Sequence, residues 1–123
     1  MKKLAVVLFV SFVAVSASAS NWVLSSTNPE EELYSYVDTE SISTQGNYKQ
    51  AFVKMIDTPK GVYYITLFSY DCRSNPRRIK PTHITTFDLE GDVIASRPSG
   101  DASFFPILPD SQGEGQANTI CNL

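Results

Sequence analysis

The chain is poor in the residues that most often carry chemistry. It has one His, two Cys, two Met and one Trp in 123 residues. One His and two Cys fall short of the ligand sets of most structural zinc sites and of common haem patterns. No C-x-x-C occurs, so thioredoxin-type exchange has no motif to start from. G-x-S-x-G, S-x-x-K and H-E-x-x-H are absent as well. Gly113 and Gly115 stand in a GEG without the strand–loop–helix context or the Lys of a phosphate loop. Cations are outnumbered, 10 Lys and Arg against 13 Asp and Glu, for a formal charge of −3. Bulk electrostatics therefore do not favour nucleic acid. Charged residues make up only 19% and apolar residues 42%, which excludes a disordered chain. What the sequence does have is aromatics, seven Phe and six Tyr, enough to build a core in one domain.

The first residues read as an address. Lys2 and Lys3 precede an apolar run from Leu4 to Val15 that only Ser11 interrupts, and Ala17-Ser18-Ala19 follows. That is the pattern of a secretory signal peptide over residues 1–19, cut before Ser20. A helix of 12 residues spans about 18 Å, too short for a hydrocarbon core of about 30 Å. The expectation is a protein exported through the inner membrane, periplasmic or secreted, with a single domain over residues 20–123. No lipid anchor is evident, because no Cys lies near the cleavage site. No later segment is apolar enough to span a bilayer.

Cys72 and Cys121 are the only cysteines, so a single intramolecular pairing exists. In an oxidising compartment a disulfide is expected. It would close a loop of about 50 residues and stabilise by roughly 4 kcal/mol in the chain-entropy account.

Along the remaining chain the dominant period is two. Asn21 to Ser26 reads as a first strand, with Glu30-Glu31-Glu32 in a solvated loop after it. Leu33 to Asp38 alternates and reads as a second. Gln45-Gly46-Asn47 marks a turn. Tyr48 to Asp57 and Val62 to Cys72 read as a long hairpin across Thr58-Pro59-Lys60-Gly61. The second of these carries apolar groups on both faces and is expected to be central. Arg77 to Asp88 contains Pro81, which cannot donate to a ladder, so an edge or bulged strand is expected. Val93 to Arg97 reads as a short last strand and Phe104 to Pro109 as an apolar extended segment. Ser111 with Glu114 three residues later is a helix-start signal, although Gly113 and Gly115 weaken the helix. The fold class is therefore α+β, mostly β: a meandering antiparallel sheet of about six strands with a short C-terminal helix and one disulfide.

Candidate sites are few. His83 stands alone, without ligand-spaced partners, so the sequence offers no positive case for an enzyme, a metal or a cofactor. Arg73, Arg77, Arg78 and Lys80 place four cations within eight residues, a candidate docking patch for an acidic partner. Tyr34, Tyr36, Tyr63, Tyr64 and Tyr70, on predicted strands, are a second candidate, with Tyr63 and Tyr70 the candidate interface aromatics. A sheet edge or exposed face would also allow a homodimer.

The order of several short segments resembles the surface-adhesin protein E family of exported bacterial proteins. The segments are Trp22-Val23, Tyr36-Val37-Asp38 leading to Ser41-Ile42 and Gly46, and Tyr70-Asp71-Cys72-Arg73. Val93-Ile94-Ala95-Ser96, Pro106-Ile107-Leu108-Pro109-Asp110-Ser111 with Glu114, and Cys121 follow. Phe105 stands where that family usually has Trp. The resemblance implies an antiparallel sheet with a flanking helix, one disulfide, and a non-enzymatic binding protein whose partners are host extracellular-matrix or serum proteins. A soluble periplasmic inhibitor or envelope assembly factor is the alternative expectation.

Overall fold

The computed structural model describes residues 20–100 and 103–123. The signal segment expected over residues 1–19 lies outside the described residues. Among the described residues, eight strands and one α-helix follow one another. They are β1 (Trp22–Asn28), β2 (Leu33–Asp38), β3 (Ser43–Gln45), β4 (Tyr48–Asp57), β5 (Val62–Asp71), β6 (Arg78–Asp88), β7 (Val93–Pro98), β8 (Phe105–Pro106) and α1 (Gln112–Cys121). All pairings are antiparallel, and the order across the sheet is β1-β2-β4-β5-β6-β7. This is the mostly-β meander with a C-terminal helix that the alternation predicts, and β5 is central in it.

Two short strands extend ladders that others begin. β2 pairs the second half of β4, and β3 pairs its first three residues. Between them the chain makes one 3-10 turn, Thr39–Ser41, capped by the Asp38 carboxylate on the Glu40 N–H. On the other side β7 pairs β6 from His83 to Phe87, and β8 pairs it at Arg78 and Ile79. Val93–Pro98 is thus not the last strand. Pro81 falls in the gap between the β8 and β7 ladders, where no outer strand needs its missing N–H. β6 is therefore bulged rather than an edge. Its extra residue is Thr82, whose hydroxyl donates to the Leu67 carbonyl at 2.9 Å.

The core lies wholly on one side of the sheet. Val37, Ala51, Val53, Tyr70 and Ile79 point to that side and meet Ala117 and Ile120 of α1, all almost fully buried. Burial of each Val and Ile side chain here contributes roughly 1.5–3 kcal/mol. The helix begins at Ser111, whose hydroxyl accepts the Glu114 N–H at 3.2 Å, as the spacing predicts. The Glu114 carboxylate reaches the Asp110 N–H rather than the N-cap's own. Cys72, just past β5, is bonded to Cys121 at the end of α1, with the two Cα atoms 5.6 Å apart. This bond ties the helix to the sheet's centre. Among the described residues, no helix is long and apolar enough to cross a membrane.

Candidate binding site

Alternation on six paired strands makes two faces, and α1 covers one of them. Opposite the helix, the register aligns two rows that cross the whole sheet. One is Leu24, Tyr36, Lys54, Ile65, Thr85 and Ser96. Its neighbour is Thr27, Tyr34, Ile56, Tyr63, Phe87 and Val93. Phe52, Leu67 and His83 continue the surface beyond the first row. None of the apolar side chains in these rows is fully buried, whereas the opposite face supplies the core. Leu24, Phe52 and Val93 are 51%, 41% and 60% exposed. Aromatic and aliphatic side chains, interspersed with Thr27, Lys54, Thr85 and Ser96, thus reach solvent on this face.

Cations are set among these rings. Lys54 Nζ lies 4.5 Å from the Trp22 ring centroid and 5.7 Å from that of Tyr63. Tyr63 stacks on Phe87 with centroids 4.8 Å apart and planes 8° from parallel. Further along, Phe104 folds over the same side. It packs on Tyr48 and takes Arg78 and Lys80 over its ring at 5.5 and 5.0 Å. No ion pair among the described residues engages Lys54 or Lys80.

Of the two interface tyrosines expected from sequence, Tyr63 lies on this open surface. Tyr70 does not. Seven residues along the same strand, it points to the helix side, where it is fully buried and its hydroxyl donates to Gln116 Oε1 at 3.0 Å. Burial pushes its phenol well above the ordinary range.

The four clustered cations do not form one patch. Arg77 turns to the helix side and donates to Asn118. Arg73 reaches back to Asn47. Arg78 pairs with Asp71 at 2.6 Å, so its charge is matched. That hydrogen bond, with the Arg73 and Ser74 backbone N–H groups and the guanidinium charge adding to it, holds the Asp71 carboxyl below its usual value despite burial. Lys80 alone of the four presents an unmatched charge beside the aromatic surface. A β-strand sends neighbours to opposite sides, so proximity in sequence scattered these groups.

His83 makes one contact that its isolation in sequence hides. Its Nε2 lies 2.8 Å from Ser96 Oγ, which also lies 2.9 Å from Thr85 Oγ1. Both side chains are exposed on the open face, and among the described residues the ring makes no second hydrogen bond. Among the described residues, no cluster of His, Cys, Asp or Glu could hold a metal ion.

Sequence reasoning missed Lys54, Trp22 and Phe104 as members of this surface. Alternation placed Lys54 and Phe52 together, but only the register brings Trp22 and Tyr63 against Lys54. Comparison of the chain with family models, curated proteins and solved structures found no match.

Proposed function

We propose that this chain is an exported, non-enzymatic binding protein, similar in kind to the surface-adhesin protein E family, that engages a protein partner through the bare face of its sheet. The observation that carries this reading is the pair of aromatic and aliphatic rows crossing all six strands with no element of the described fold over them. Large amphipathic rings with interspersed unpaired cations suit a partner surface with apolar anchors and carboxylates between them. Extracellular-matrix and serum proteins are the partner class that the resemblance suggests.

The test is binding to a panel of immobilised matrix and serum proteins, at low and high salt. Leu24→Glu combined with Phe52→Glu alters two exposed side chains and should leave folding intact while weakening binding at least ten-fold. Asn118→Asp, on the helix side, should bind as the unaltered protein does. Equal binding by the double variant would remove the sheet face from the proposal.

The alternative is a periplasmic inhibitor or envelope assembly factor using the same face. Protease added to intact cells separates the two. Digestion while a periplasmic control survives supports the adhesin reading; protection with release on osmotic shock supports the periplasmic one.

A further inference from the structure

The opposite side of the sheet holds a separate feature. α1 makes most of its contacts with β1, β2 and β4, and it meets the β5–β6 half of its own face only at Tyr70, Ile79 and the Cys72–Cys121 bond. Over that half lies an apolar cleft of about 490 Å3. Met55, Phe68 and Ile79 floor it, and the extended segment through Ile107 and Leu108 forms one wall. The other wall is the first turns of α1 at Gly113 and Gln116. The volume falls within the range of small-molecule pockets.

The cleft is apolar by arrangement as well as by composition. Gln116, its buried polar side chain, is engaged elsewhere: Oε1 accepts from Tyr70 and Nε2 donates to Ser35 at 3.0 Å. Gln112 Oε1 likewise accepts from Ser26 at 2.6 Å. Both amide oxygens are thus engaged by the protein's own hydroxyls. Gly113 leaves the helical wall open. A Cβ there would meet only Ser111 Oγ at 3.6 Å and Ile107 Cγ2 at 3.7 Å, both in ordinary contact.

One cation stands beside this floor. The row next to Phe68 on the same face is Val53, Thr66, Ile84 and Arg97. Arg97 is exposed and joins no ion pair among the described residues. Two strand spacings separate its strand from that of Phe68, about 10 Å, within the span of an alkyl chain carrying a head group. The near end of the helix bears Glu114, which disfavours an anion there.

We propose that this cleft binds a single-chain anionic amphiphile, a fatty-acid-like molecule whose alkyl chain lies over Met55, Phe68 and Ile79 and whose carboxylate pairs with Arg97. The site is on the face opposite the aromatic rows and does not depend on the protein-binding reading.

Calorimetric titration of the purified protein with monomeric dodecanoate, and in parallel with dodecanol, tests it. Saturable one-to-one binding of both is expected. Arg97→Gln should weaken dodecanoate about five-fold and leave dodecanol unchanged, the size of a partly screened ion pair. Gly113→Leu fills the cleft with a good helix former and should weaken both at least ten-fold. Leu108→Asp alters a lip residue that is 68% exposed and should do the same without touching the core. Absence of saturable binding, or equal affinity in Gly113→Leu and Leu108→Asp, would overturn the site. Equal loss of both probes in Arg97→Gln would overturn the head-group assignment. Co-sedimentation with phosphatidylglycerol vesicles in place of dodecanoate binding would replace a free amphiphile with a membrane and overturn the proposal.

Discussion

Gly115 of α1 lies so close to Ser26 of β1 that a Cβ added to it would sit 2.6 Å from the Ser26 Cβ and 2.6 Å from the Ser25 carbonyl oxygen. A glycine in mid-helix costs about 1 kcal/mol of helix propensity. Here the close packing of helix on strand requires it, and backbone on the other side cannot step away. Gly115→Ala should therefore destabilise by roughly 1–3 kcal/mol, as overpacking does. Gly113→Ala, whose Cβ would make only ordinary contacts with Ser111 and Ile107, should be neutral or stabilise by up to about 1 kcal/mol. Urea denaturation of both variants checks the contrast; stabilisation by both would mean that the helix does not pack this tightly.

Gln116 joins three elements through hydrogen bonds to Tyr70 and Ser35, and all three residues are fully buried. Gln116→Leu keeps the volume roughly but strands two buried hydroxyls. The expected loss is about 2–6 kcal/mol, from one to three per orphaned group. Tyr70→Phe should cost less on its own. Its effect should shrink further in the Gln116→Leu background, because the hydroxyl has then already lost its partner. Additive losses in a double-mutant cycle would contradict the bond.

Tyr70 also predicts an alkaline limit. Its folded pKa is raised by burial above the ordinary value of about 10. The unfolded chain loses that proton first, so stability is fully present below pH 10 and falls as pH rises through the folded value. Tyr70→Phe should flatten this fall. A titration by circular dichroism between pH 9 and 12 measures it.

Asp71 predicts the opposite flank. The Arg78 hydrogen bond lowers its folded pKa below the unfolded value near 3.9. Its contribution is present above that value and is lost as pH falls through the folded one. Asp71→Asn should be less stable than the unaltered protein at neutral pH, and the gap should close in acid. A gap that stayed constant from pH 7 to pH 2 would exclude the ion pair as its source.

The disulfide closes a loop across 49 positions and holds α1 to the centre of the sheet. Reduction should lower stability by roughly 4 kcal/mol. For a domain of this size that is a fall in Tm of about 15–30 °C. Scanning calorimetry with and without reductant reads it directly.

The meander was legible because its signals are local. Leu33–Asp38 and Tyr48–Asp57 have the bounds that alternation assigns, and Ser111 caps the helix that its spacing with Glu114 announces. β3 and β8 were not legible, since strands of three and two residues carry too little pattern and exist by completing ladders on β4 and β6. Nor was the path of the ladders around Pro81, which avoids an edge by lying between two outer strands.

What the sequence determined by itself is parity: Tyr63 and Tyr70 must point to opposite sides of one strand, and Arg77 and Arg78 likewise. Only the tertiary structure decided which side is covered. The helix packs where Gly115, Ala117 and Ile120 meet the sheet and where Cys121 reaches Cys72. That choice buried Tyr70, left Tyr63 beside Lys54 in the open, and divided one run of basic residues between two faces. A local pattern carries no information about which of two apolar faces a distant segment will cover. That depends on contacts between residues far apart in the chain, and those contacts made one face the core and left the other without a covering helix.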